Sequence, residues 1–145
     1  MPNVGNTNGL SSVDKIIEAA DALTGVADMA QRRVKQQFDR KKIQQAQAHE
    51  LFASINQIRH TANTLYTTAA AAVVKNLGET QKIVLDVIKS AKGAIAKIDK
   101  TNKMIDLLAD LVALAAAINT GKAGTILACL KEVNKDTKKL SEDDA

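Results

Sequence analysis

The chain has 145 residues, 46% hydrophobic but only 2% aromatic, and carries a net charge of +4. One domain is the default at that length, and a hydrophobic fraction dominated by alanine fits long helices rather than a thick globular core. A single cysteine, Cys129, excludes an intramolecular disulfide.

The start, Met1 to Gly9, is polar and rich in asparagine and glycine, without the charged-then-apolar order of a secretory signal. Residues 1–11 are read as a flexible leader, and the chain as cytoplasmic or exported without a cleaved signal peptide. Ser11 or Ser12 can cap a first helix, with Asp14 near the positive end of its dipole.

From Ser12 to Leu77 there is no proline and one glycine, Gly25, where a kink is expected. That run predicts one very long helix or two abutting ones. Its first part carries Ile16, Ala20, Leu23, Ala27, Ala30 and Val34 at helical spacing. Between Lys35 and Gln47 the chain is almost wholly polar, which marks a joint, with a break expected near 39–42. A clear seam then returns at Leu51, Ile55, Ile58, Ala62, Leu65, Ala69 and Val73, mostly in alternating steps of four and three. Phe38, Phe52 and Tyr66 are spaced by fourteen residues, two heptads, which predicts that all three face the core from one side.

Asn76-Leu77-Gly78-Glu79 is the strongest turn signal, because Gly78 can take the left-handed conformation that ends a helix. A second long helix is expected over 79–118, with a seam through Val84, Ile88, Ala91, Ile95, Ile98, Asn102, Ile105, Ala109, Val112 and Ala116. Asn102 interrupts it as a register-setting polar residue would, and Gly93 is its weak point. A turn over 119–124 leads to a short helix, 125–140, and an acidic tail, 141–145. The expected fold is all-α: an elongated antiparallel helical hairpin of two long helices with a short third C-terminal helix, packed like a coiled coil. Residues 12–140 form its single domain.

Catalytic and metal patterns fail on inspection. His49-Glu50 begins a zinc-protease motif, but Ala53 stands where the second histidine belongs. His49 and His60 are about 16 Å apart along a helix, too far to share a metal. Gly121-Lys122 lacks the upstream glycine and the Ser/Thr of a phosphate-binding loop. The chain is read as non-enzymatic, with no cofactor, no metal and no small-molecule substrate.

Three readings remain. The leading one is a self-associating structural subunit, a homo-oligomer or a binder of a helical partner. Its packing seam would be Ile55, Ile58, Leu65, Ile88, Ile95, Ile98, Asn102, Ile105 and Val112. The first alternative is a membrane-active protein inserting the apolar hairpin 104–130 through Leu107, Leu108, Leu111, Leu114, Ile118, Ile126 and Leu127. The stretch between Lys103 and Lys122 would span ~27 Å of helix, close to a hydrocarbon core. Asp106 and Asp110 oppose that insertion, at roughly 2.5–3.5 kcal/mol each at mid-membrane. The second alternative is nucleic-acid binding by the basic stretch Arg32, Arg33, Lys35, Arg40, Lys41 and Lys42, a charge cluster that anionic lipid would fit equally.

Overall fold

The structure is a computed structural model that describes residues 13–72, 80–97, 104–120 and 122–144. It is all-helical over those residues, with five helices: α1 (Val13–Asp39), α2 (Gln45–Ala72), α3 (Thr80–Lys97), α4 (Met104–Thr120) and α5 (Ala123–Asp144). The sequence reading of two long helices and a short third is therefore corrected to five helices. The first long run divides into α1 and α2. The second yields α3 and α4, which do not act as one packing unit. The last extends to Asp144, through most of the residues read as a tail. The turn expected at 76–79 and the seam positions Val73, Ile98 and Asn102 lie outside the described residues.

The division between α1 and α2 is built by backbone chemistry. Lys41 has a φ of 60°. The Lys42 N–H donates to the Gln37 carbonyl and the Lys41 N–H to the Phe38 carbonyl, at 2.8 and 2.9 Å. Those two bonds around a left-handed residue are the Schellman ending of a helix, here with lysine where glycine is usual. Two residues later α2 starts with half a capping box: the Gln44 N–H donates to Gln47 Oε1 at 3.1 Å. Ile43 and Ala48, the two positions of a hydrophobic staple, are both buried.

α1 and α2 run antiparallel. The Arg59 guanidinium pairs with Asp28 at 2.6 Å, and the Tyr66 hydroxyl donates to the Asp21 carboxylate. α1 also packs on α3, α2 on α4, α4 on α5, and α5 on α3. The extensive contacts among the described residues thus close a ring, α1–α2–α4–α5–α3. α5 packs against both α3 and α4, and those two consecutive helices make no extensive contact of their own.

Burial follows from that ring. α2 contributes a narrow seam, Ala48, Leu51, Ile55, Ile58, Ala62 and Leu65, in the alternating spacing of a coiled coil. α1 and α4 bury wider faces. On α4, Met104, Leu107, Leu108, Leu111, Leu114, Ala115, Ala117 and Ile118 are all buried, as a helix flanked by two neighbours requires. α1 runs unbroken through Gly25, where a Cβ would stand 3.4 Å from Lys92 Nζ on α3. α3 likewise runs unbroken through Gly93.

The aromatic expectation is corrected. Phe52 is partly buried against the core, but Phe38 and Tyr66 are each 40% exposed. Phe38 belongs to α1 and the other two to α2, so the break at 40–44 removes the common helix face that their spacing presupposed.

Candidate functional site

α5 buries Ile126, Leu130, Val133, Thr137 and Leu140, a seam advancing by four and three residues. On one flank of that seam, at helical spacing, stand Cys129, Glu132 and Asp136, with Lys139 one step further. On the other stand Leu127, Lys131, Asn134 and Lys138. Glu132 and Asp136 therefore lie toward α4, while Asn134 and Lys138 lie toward α3.

On the α4 side, Asp110 meets Asp136, with Glu132 and Asp106 close enough to act on it. Burial pushes the Asp110 carboxyl up from 3.8 to about 7, helped by a hydrogen bond to Asp136 and by the charges of Asp136, Glu132 and Asp106. Asp136 Oδ2 is buried and has no hydrogen-bond partner among the described residues. The hydrogen bond between Asp110 and Asp136 crosses the α4–α5 contact and favours the protonated form of Asp110. The Cys129 thiol is also pushed up, first by burial and then by the Asp110 charge, which makes it a poor nucleophile.

On the α3 side lies an open groove of about 550 Å³ lined by Ser90, Gly93, Ala94, Lys97, Thr137 and Lys138. A second hollow of about 470 Å³ continues it along α5, among Lys131, Asn134, Lys135, Lys138 and Lys139. Nothing lies within 4 Å of the place a Cβ would take at Gly93, so the groove floor is open. Lys97, Lys131, Lys135, Lys138 and Lys139 are all exposed.

The residues singled out from sequence fall elsewhere. Ile55, Ile58, Leu65, Ile88 and Ile95 are fully buried in the chain's own core, while Ile105 and Val112 pack partly against it. Leu107, Leu108, Leu111, Leu114, Ile118 and Ile126 are buried in the same core, and Leu127 alone of the proposed hairpin residues is notably exposed, at 36%. Among the described residues no helix is long and apolar enough to cross a membrane. Arg32, Lys35, Arg40, Lys41 and Lys42 are exposed, whereas Arg33 is half-buried and donates to Gln36 Oε1. Arg32 and Lys35 edge a shallow groove of about 350 Å³ with Asp28, Gln31 and Arg59. His49 and His60 are both exposed, and among the described residues no group of three or more His, Cys, Asp or Glu side chains is arranged to hold a metal.

Sequence reading missed the placement of Glu132 and Asp136 opposite Lys131 and Lys138 on α5. The signal was present in the spacing of residues 129, 132 and 136 against 131, 134 and 138. It carries meaning only once α4 and α3 are known to lie on opposite flanks. The chain matches no protein family, no curated protein and no solved structure.

Proposed function

We propose that this chain is a non-enzymatic helical subunit that associates with copies of itself, and that its charged surface rather than its apolar seam makes the contact. The observation that carries this reading is the separation of exposed charge of opposite sign on one molecule. The α4–α5 junction gathers Asp106, Asp110, Glu132 and Asp136, while the α3–α5 groove and the hollow beside it gather Lys97, Lys131, Lys135, Lys138 and Lys139. Surfaces of opposite sign on one chain attract their counterparts on the next.

The described seam residues named from sequence, Ile55, Ile58, Leu65, Ile88, Ile95, Ile105 and Val112, pack in or against the chain's own core, so the associating role passes to the exposed charge. Membrane insertion of 104–130 has less support, because six of its seven apolar residues are buried in the bundle core. Concentration-dependent sedimentation tests the proposal. The expected result is a species heavier than the 15.5 kDa chain that grows with concentration. Sedimentation as a monomer at every concentration contradicts it.

A further inference from the structure

We propose that the α3–α5 lysine groove of one copy receives the Asp106/Glu132 surface at the α4–α5 junction of the next. This rests on the self-association reading and names the two faces that meet.

Both faces flank one helix. Lys131 and Lys138 stand on the α3 side of α5, with Lys97 reaching in from α3. Glu132 stands on the α4 side, with Asp106 one turn from Asp110 on α4 itself. Asp106, Glu132, Lys97, Lys131 and Lys138 are all exposed, so each is available without opening the core. Behind Asp106 and Glu132, the half-buried Asp110 and Asp136 add like charge, and the four carboxyls act on one another. Lysines brought from a second copy relieve that like-charge crowding.

The groove also suits an incoming carboxylate sterically. Gly93 and Ala94 leave its floor low, and Ser90 and Asn134 offer polar donors. Leu127, 36% exposed on the same flank, supplies an apolar contact beside the charges.

The two faces are different patches of one molecule, so the contact is heterologous. It repeats from copy to copy and gives a ring if the rotation closes, or a filament if it does not. Exposed pairs of this kind are individually weak, so the association is salt-sensitive.

Charge reversal tests the pairing. One variant carries Lys131→Glu and Lys138→Glu; the other carries Asp106→Lys and Glu132→Lys. All four positions are exposed, and circular dichroism verifies that each variant folds. Each alone should lose association by about tenfold or more, since like charges then face each other. An equimolar mixture should recover it, because each variant keeps the face the other lacks. Association at wild-type strength in both variants overturns the pairing while leaving self-association standing. Loss without recovery in the mixture also overturns it. So does wild-type binding of polyphosphate that Lys131→Glu/Lys138→Glu abolishes while assembly is unchanged, which would assign the groove to a soluble polyanion. A wild type that is monomeric throughout defeats the self-association reading itself.

Discussion

The Tyr66 hydroxyl donates to the Asp21 carboxylate one heptad along the α1–α2 interface from the Arg59–Asp28 ion pair. The two contacts share one antiparallel register: moving seven residues back on α1 moves seven forward on α2. They fix the alignment of two helices whose apolar seams alone would tolerate a heptad slip. Tyr66 is the only tyrosine and there is no tryptophan, so ultraviolet titration reports on it without ambiguity. Its phenol should ionise above the ordinary 10.0, because the Asp21 carboxylate accepts its proton in a hydrogen bond and burial adds to the effect. Asp21→Asn should bring the midpoint back toward 10.0. An unchanged midpoint would show that the bond does not form in solution.

Lys41 is the one described non-glycine residue with positive φ. A side chain in the left-handed region costs roughly 1–2 kcal/mol relative to glycine. Lys41→Gly should therefore raise the unfolding free energy by about 1 kcal/mol, after the loss of chain entropy is set against the relief. The converse holds at Gly25, inside α1, where Lys92 can move its flexible end aside: Gly25→Ala should stabilise by up to about 1 kcal/mol. Urea melts of both variants check the pair, and destabilisation at Lys41→Gly would argue against the Schellman ending.

Asp110 makes stability depend on pH in a definite direction. Its carboxyl is raised from 3.8 to about 7 by burial and by Asp136. The folded state thus holds a proton that the unfolded state has released, and folding binds more protons between those two values. Stability from this site is complete below about 4, falls as pH rises, and is fully lost above about 7. Asp110→Asn removes the dependence. The variant should gain about 1–2 kcal/mol over wild type at pH 8 and little at pH 4, measured by urea melts across that range. An equal difference at both pH values would show that the Asp110 carboxyl is not raised in the folded state.

Leu111 and Leu127 both belong to the apolar hairpin, yet Leu111 is fully buried and Leu127 is partly exposed. Leu111→Ala should cost about 2–5 kcal/mol. Leu127→Ala should cost under about 0.5 kcal/mol while weakening self-association. Similar costs at both sites would mean that α4 does not sit in the core as described.

The helical class was legible in residues such as Ile55, Ile58, Ala62 and Leu65, whose spacing alone sets the α2 seam. The division into α1 and α2 was legible only as a weak polar joint, because its decisive residue is Lys41. Lysine carries no turn signal, and the ending shows itself in hydrogen bonds from 41 and 42 rather than in residue type. The ring order was not legible. Seams on α3 and α4 tell which faces are apolar but not which helix each covers, and placing α5 against both depends on tertiary packing. For the same reason Asp110 read only as a charge opposing membrane insertion, whereas its partner Asp136 lies on a helix that sequence spacing does not align with it.

The most direct measurement is the absolute mass by light scattering as salt is raised from about 0.01 M to about 1 M, over which the Debye length falls from ~30 to ~3 Å. Association through separated charge predicts a mass well above 15.5 kDa at low salt, falling to the monomer at high salt. A monomer at both ends, or an oligomer indifferent to salt, would contradict it.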